Sequence, residues 1–331
     1  MTDSDSFRAF RIHGGEGGHR ASIESMRAEE LSPGEILIKA AWSGVNYKDA
    51  LAGTGKGRIL RRFPLNGGID VAGYVAESSD PAFKEGDAVL ATGSGLSETR
   101  DGGYAEYARL ESKSAIALPA GLDLREAMAI GTAGFTAALS LYRMLQNDQR
   151  PEMGPIVVTG ASGGVGMLAL DIFTGAGFEM HAISGKLEHF DLLMELGARQ
   201  CISRHDLYWG QRPLETARWA GAVDTAGSEM LAGLTRVISP YGNIACCGLA
   251  AGADLATTVM PLIIRGVSLL GIASAGTARP IREAVWAHLA SDWKPRHLER
   301  IVTGEVTLDQ LPGVFDGMLA GKSQGRTLVR L

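Results

Sequence analysis

The sequence predicts an α/β protein of two domains, a small β-rich domain followed by a doubly wound parallel sheet, and three observations predict it. The chain has 331 residues, about twice the ~150 of a single domain. Its first third reads as short apolar or alternating runs, EILIKAAWSGVN, VAGYVAES, DAVLATG and YAEYARL. Turn pairs such as Pro33-Gly34 and Gly86-Asp87 separate them, which suits a barrel or sandwich. From about Leu124 the pattern changes. The helical run LREAMAIGTAGFTAALSLYRML is followed by strand-like PIVVTG, EMHAIS, RQCIS, GAVDTAG, NIACCGL and VSLLGIA with helical segments between them. Such alternation builds a parallel sheet with right-handed crossovers. After Arg279 a helix, IREAVWAHLA, precedes a last strand, RTLVRL, expected to return to the first domain. The expected boundaries are 1–124, 125–294 and 295–331.

Composition narrows the function classes. The 32 Lys and Arg against 37 Asp and Glu give a net charge of -5, and 45% of residues are apolar. This disfavours disorder and a nucleic-acid polyelectrolyte role. Glycine is in excess, 44 residues or about 13% where about 7% is usual. The three cysteines, Cys201, Cys246 and Cys247, form neither a disulfide framework nor a metal-ligand spacing and suit a reducing compartment. The start MTDSDSF has no apolar core of a leader, and Ala127–Tyr142 is too short and too rich in Gly and Thr to span a bilayer. A cytoplasmic protein with no membrane partner is expected.

The chemistry begins after PIVVTG. Ala161, Ser162, Gly163, Gly164, Val165 and Gly166 lead into apolar positions at helical spacing, including Leu168, Ala169, Ile172 and Phe173. A Gly164-x-Gly166-x-x-Ala169 pattern between a buried strand and a helix lets backbone approach a pyrophosphate at the positive helix end. A dinucleotide is therefore expected on Ser162, Gly163, Gly164, Val165 and Gly166. Twenty residues after Gly164, where an acid would take a ribose 2′-hydroxyl, stand Ser184, Gly185 and Lys186. With Arg204 after CIS, they suit a 2′-phosphate and predict NADPH. Leu249 and Ser274 follow later strands and border the same crevice.

These features, together with SGVNYKDAL, GIDVAG, GGYAEYARL, GTAGFTA, VTGASGGVG, RWAGAVDTAGS and MPLIIRGVSLLGI, resemble the zinc-independent quinone-oxidoreductase branch of the medium-chain dehydrogenase/reductase superfamily. Within it they are most similar to the acrylyl-CoA reductase subfamily. The resemblance covers nearly the whole chain. It implies a GroES-like domain, a Rossmann NADPH-binding domain, a carboxyl-terminal return and a homodimer; the apolar strand GVSLLGIA, expected at the sheet edge, is the expected place of pairing, since a long open apolar edge would invite aggregation. It also implies that Tyr47 lies beside the nicotinamide with Asn46 orienting it and Lys48 and Asp49 tuning it, and that Thr132, Ile264 and Gln324 join the cofactor contacts. A zinc alcohol dehydrogenase would present Cys near Asn46 and Gly-His-Glu at Gly68-Ile69-Asp70, and Asn and Ile cannot supply those ligands. No metal is expected, and reduction of an already polarised C=C is preferred over alcohol oxidation.

The expected reaction is hydride transfer to the β-carbon of a short enoyl-CoA, acrylyl-CoA foremost, with the phenol of Tyr47 as donor to the developing enolate. The basic run Arg58, Arg61 and Arg62 favours a CoA substrate, which carries phosphates. Two alternatives stand beside it: an NADPH:quinone or enone reductase, and a nucleotide-binding redox sensor without turnover. The segment GSGLSETRDG (93–102) departs from the subfamily pattern, and Lys186 stands where Arg is more usual, keeping the charge without the bidentate fork.

Overall fold

The computed structural model describes residues 6–15 and 18–331. They fall into two compact units. One comprises the chain up to Thr132 with Ala275–Ala284 and Leu298–Leu331; the other comprises Ala133–Ser274 and Val285–His297.

The first unit opens with β1 (Ser6–His13), β2 (Arg20–Arg27), β3 (Ile36–Gly44), α1 (Tyr47–Thr54), β4 (Leu65–Asn66), β5 (Asp70–Ser78), β6 (Ala88–Thr92), β7 (Tyr107–Leu110) and β8 (Ile116–Ala117). Helix α2 (Leu124–Gln146) begins in it and is broken at Gly131, whose φ of 50° and ψ of −156° are not helical. The single long helix read from the sequence is therefore two segments.

The second unit carries β9 (Ile156–Thr159), α3 (Gly164–Gly175), β10 (Met180–Ser184), α4 (Phe190–Glu195), β11 (Ala198–Ser203), β12 (Trp219–Asp224), α5 (Ser228–Val237), β13 (Ile238–Cys246), α6 (Met260–Ile264) and β14 (Ser268–Gly271). Helix α7 (Arg279–Leu289) follows. Then α8 (Leu298–Ile301), β15 (Val302–Val306), α9 (Leu311–Leu319) and β16 (Arg326–Arg330) complete the first unit.

In the first unit β1 pairs antiparallel with β2 and β4, and a larger sheet runs β15-β16-β3-β5-β6-β8 with β7 on β3. The last strand does return: Leu328 and Val329 pair with Gly44 and Ser43 of β3. Inward residues of successive strands, Ile36, Ile38, Val71, Val75, Val89 and Leu110, form one core, and Phe10, Tyr104 and Phe315 anchor a second. Residues 275–284 join this unit, not the sheet domain to which 125–294 was assigned. Ser94 N donates to Ala275 O at 3.1 Å, and the buried Arg282 Nη1 donates to Thr92 O and Oγ1 at 2.9 Å each.

The second unit is one parallel sheet, β11-β10-β9-β12-β13-β14. Its central strands β9 and β12 are buried throughout, as strands covered on both faces require. The order reverses direction between β9 and β12, placing a topological switch point at the carboxyl end of β9. Among the described residues no helix is long and apolar enough to cross a membrane.

Candidate active site

Two polar constellations are the candidates for the chemistry, one in each unit. The first surrounds the start of α1. Asn46 precedes the helix in extended conformation, φ −122° and ψ 156°. The Asp49 carboxylate accepts from Asn46 N at 2.9 Å and from Ile69 N at 2.9 Å, which ties the first turn of α1 to the strand that follows. Asn46 Nδ2 donates to Asp70 Oδ2 at 2.8 Å. Thr132 gives Asp70 both its backbone N–H, at 2.9 Å, and its hydroxyl, at 2.5 Å.

Arg326, buried, closes this network. Its Nη1 donates to Val45 O at 2.8 Å and Asn46 Oδ1 at 3.1 Å, its Nε to Ala129 O at 3.1 Å and its Nη2 to Met128 O at 3.2 Å. Nη2 also lies 3.7 Å from Asp70 Oδ2. The break in α2 exists for this packing: a Cβ on Gly131 would sit 2.6 Å from Asp70 Oδ2 and 2.7 Å from Arg326 Nη2, at a φ that side chains avoid.

Asp70 thus lies beside a guanidinium out of water, with the charge of Asp49 acting on that guanidinium from further off. Burial, reinforced by the charge of Asp70, pushes Asp49 up to about 7. Burial raises the Tyr104 phenol well above its ordinary value, with Asp49 and Asp70 adding to the shift. Burial also lowers Arg326, against the pull of Asp70.

On this base Tyr47, the first residue of α1, is left 43% exposed, and its hydroxyl has no hydrogen-bond partner among the described residues. Lys48 pairs with Glu98 and not with its neighbour Asp49. That places part of the segment 93–102 in a structural role, as does Asp101, which accepts from Ser32 N and Oγ at 2.8 and 2.7 Å. The residues do not fit a catalytic zinc. Ile69 has no ligating atom, the amide of Asn46 is engaged by Asp70 and Arg326, and among the described residues no three His, Cys, Asp or Glu side chains are grouped to hold a metal.

The second constellation lies at the carboxyl ends of β9 to β12. The turn after β9 folds tightly, with Gly163 N on Gly160 O at 2.9 Å and Ala161 N on Ile183 O at 3.0 Å. A Cβ on Gly166 would come within 2.4 Å of Gly160 O and 2.6 Å of Ala161 Cα, so only glycine lets α3 start this close to the strand. Gly163, Gly164 and Val165 remain partly exposed while the rest of α3 up to Phe173 is buried. Unpaired amides at this helix start suit an anion.

Ser184 donates to Ser162 Oγ at 3.1 Å and accepts from Lys186 N at 3.1 Å, fixing the end of β10. Over Gly185 lies the Arg204 side chain, its Nε 2.5 Å from where a Cβ would be. Burial lowers the Lys186 ammonium, and Arg204 adds to this against the pull of Glu188. Two cations converge on one spot, the arrangement a phosphate rewards.

The structure brings Ser162, Gly163, Gly164, Val165, Gly166, Ser184, Gly185, Lys186 and Arg204 together. Leu249 and Ser274 follow the carboxyl ends of β13 and β14, on the same edge of the sheet. Ile264 is not brought there. Its neighbour Arg265 donates to Ile238 O at 3.1 Å and accepts from Tyr241 N at 2.7 Å, which puts Ile264 near the amino ends of the strands, opposite the cradle. Asn46, Tyr47, Asp49 and Thr132 are gathered in the first unit. Gln324 stands two residues before Arg326, its carbonyl accepting from Thr303 Oγ1 at 2.7 Å.

Sequence reasoning did not single out Asp70 or Arg326 as partners, nor Asp224 at the end of β12. Asp224 accepts from Thr159 Oγ1 at 2.7 Å and Gly227 N at 2.8 Å, and burial raises it. A lone acid inside a strand, as in GIDVAG or GAVDTAG, was the available signal, because buried carboxylates need partners.

A Gly-rich cradle on a doubly wound sheet, with a GroES-like unit holding a second polar constellation, defines an oxidoreductase of the medium-chain dehydrogenase/reductase type. The family model for the alcohol dehydrogenase GroES-like domain matches residues 32–120, and that for zinc-binding dehydrogenase matches 164–291. A Bacillus subtilis protein named as the quinone oxidoreductase YhfP is 46% identical over 310 residues, 93% of this chain and 94% of that one. Its crystal structure with NAD bound superposes with a TM-score of 0.95, covering 99% and 100% of the two chains at 44% identity. The acrylyl-CoA reductase AcuI of Ruegeria pomeroyi is 40% identical over 314 residues, 95% of each chain. The yhdH oxidoreductase of Salmonella enterica, solved in complex with NADP, superposes with a TM-score of 0.94 at 42% identity, covering 98% and 99%. The chain belongs to the zinc-independent quinone oxidoreductase and acrylyl-CoA reductase branch of that superfamily.

Proposed function

We propose that this protein uses NADPH to reduce the activated C=C bond of a short enoyl-CoA, acrylyl-CoA foremost, giving the saturated acyl-CoA. The observation that carries this reading is the exposed, unpartnered phenol of Tyr47 next to Asn46, whose amide is engaged by Asp70 and Arg326 and so is not free to hold a Lewis acid. When bound, NADPH supplies the hydride that adds to the β-carbon. The resulting enolate carries negative charge on the thioester oxygen and accepts a proton at the α-carbon, so one hydride and one proton complete the reduction. Tyr47 holds a proton at its Oη for that charge, and the positive end of α1 faces the same region of chain. Asn46, fixed by Asp70 and Arg326, orients the helix start, and Asp49 ties it to Ile69. Thr132 and Gln324 are proposed as cofactor contacts at the edge of this network. The relatives' two names support both a CoA thioester and a quinone or enone acceptor. The deciding measurement follows NADPH absorbance with acrylyl-CoA, crotonyl-CoA and a small quinone in parallel. Fastest turnover of the thioesters is expected; a marked preference for the quinone replaces the reading with the second one. NADPH bound but consumed with no acceptor would leave a sensor.

Lys186 and Arg204 support NADPH over NADH, each charge-assisted contact contributing roughly 1.5–3 kcal/mol. Lys186→Ala is expected to raise the KM for NADPH on the order of tenfold and to change that for NADH little. An equal loss with both cofactors removes Lys186 from the 2′-phosphate.

A homodimer is proposed through β14. That strand pairs only with β13 and ends the sheet among the described residues. Nearby Val259, Ile263, Ile264 and Tyr241 are apolar and at least 61% exposed. An open apolar edge invites strand pairing, and a two-fold axis closes it. Light scattering at micromolar concentration is expected to report about twice the 34.9 kDa chain mass; a monomer contradicts the interface.

A further inference from the structure

Outside the two constellations, the first unit contains a cavity of about 360 Å³ at the far end of α1. It falls within the range of small-ligand sites, roughly 300–1,000 Å³. His19, Gly55, Gly57, Arg58 and Phe63 are among its walls. The Phe63 ring is 46% exposed. The His19 imidazole is fixed by Nε2 on Gly53 O at 2.9 Å, so this terminal carbonyl of α1 is occupied. The loop KGRILRR (56–62), whose residues 57–60 line the cavity, has four cations and no acid. Arg62 is anchored on Ser32 Oγ at 2.6 Å. Lys56, Arg58 and Arg61 have no side-chain partner among the described residues. Glu98, whose carbonyl accepts from Arg61 N, has its carboxylate paired with Lys48. The site therefore offers a flat apolar face, a heteroaromatic ring and the unneutralised Arg58 guanidinium, with Lys56 and Arg61 adjoining the lining residues in the same loop, the chemistry that takes a purine carrying phosphates.

We infer that this cavity holds the 3′-phosphoadenosine end of the coenzyme A substrate. The inference rests on the CoA thioester reading above. The eight residues of α1 separate Tyr47 from Thr54 by about 11 Å along the helix axis. Ala52 of its last turns and Gly55 just beyond it line the cavity. The pantetheine arm, two amide units with their methylenes, is longer than this when extended. An acyl group at Tyr47 and a nucleotide in the cavity are thus one ligand with the helix as its ruler. The 2′-phosphoadenosine of NADPH has its own cations, Lys186 and Arg204, in the other unit.

The test compares acrylyl-CoA with the acrylyl thioester of pantetheine, which lacks the nucleotide, and adds calorimetry with adenosine 3′,5′-bisphosphate on the enzyme saturated with NADP. The wild type is expected to prefer acrylyl-CoA in kcat/KM and to bind the bisphosphate. Arg58→Glu is expected to cut that preference about tenfold and to abolish the binding, while Phe63→Ala weakens it. A preference for acrylyl-CoA that neither substitution changes overturns the cavity assignment and leaves the substrate reading intact. Failure of the wild type to reduce any CoA thioester ends the substrate reading instead, and the calorimetry then decides the cavity alone: absence of bisphosphate binding, or binding indifferent to Arg58→Glu, overturns it.

Discussion

Tyr47→Phe is expected to lower kcat for acrylyl-CoA by roughly 10²-fold while NADPH affinity stays near that of the parent. The substitution removes one oxygen and nothing else. No described residue hydrogen-bonds to that oxygen, so its loss leaves no buried partner unsatisfied and folding is little affected. The charge it is proposed to meet develops only in the transition state. For that reason the loss belongs in kcat and not in ground-state binding. Tyr47→Ala removes the ring as well and is expected to weaken cofactor binding in addition. Single-turnover kinetics with saturating NADPH separate the two effects. A Phe variant that turns over acrylyl-CoA at the parental rate makes Tyr47 a packing residue and moves the proton to solvent or another donor.

Legibility of the fold followed burial. Strands covered on both faces, such as IVVT of β9 and WAGAVD of β12, announce themselves as unbroken apolar runs, and the parallel sheet was read correctly from them. The hairpin β1–β2 was not, because RASIESMR of β2 lies largely at the surface, with only Met26 buried. Its apolar positions are too few to set a period. The short β4 is buried but only two residues long, too short to set a period, and β15 is nowhere fully buried. The break in α2 left a different trace. GTAG reads as helix by apolarity, and only the needs of Asp70 and Arg326, distant in sequence, show why Gly131 must leave the helix.

The candidate site divides along the same line. A cradle built from consecutive residues is local, so Ser162 to Gly166 and Ser184 to Lys186 could be found from spacing alone. Ile264 shows the limit of spacing, because a residue before a strand and one after it look alike in a motif, although they lie at opposite edges of the sheet. The network around Asp70 is non-local: Asn46, Thr132 and Arg326 reach it from β3's exit, the α2 break and the last strand. No spacing rule connects residues so far apart, and only the rule that buried charge must be paired anticipates a partner.

Arg326→Met is expected to destabilise the protein by roughly 3–5 kcal/mol, the cost of leaving a buried charge without its partner. Met keeps an unbranched apolar stem but leaves Val45, Asn46, Ala129 and Met128 without a donor and Asp70 without its cation. The loss should depend on pH with a defined sign. Asp49 titrates near 7 in the folded chain against an ordinary value of 3.8, so the native state holds more protons through that window and stability falls as pH rises across it. Above the window the wild-type carboxylate is ionised with Arg326 close by. Without the guanidinium its titration moves higher still, and the decline continues past neutrality. Denaturant unfolding should therefore show a larger deficit at about pH 8.5 than at about pH 6. Arg326→Lys, which keeps the charge but not the fork, should recover part of the stability and little of the orientation of Asn46. Its kcat should then remain depressed where its midpoint of unfolding is partly restored. A Met variant as stable as the parent at both pH values would mean that the guanidinium contributes nothing net to this core, and that its role is confined to orienting the start of α1.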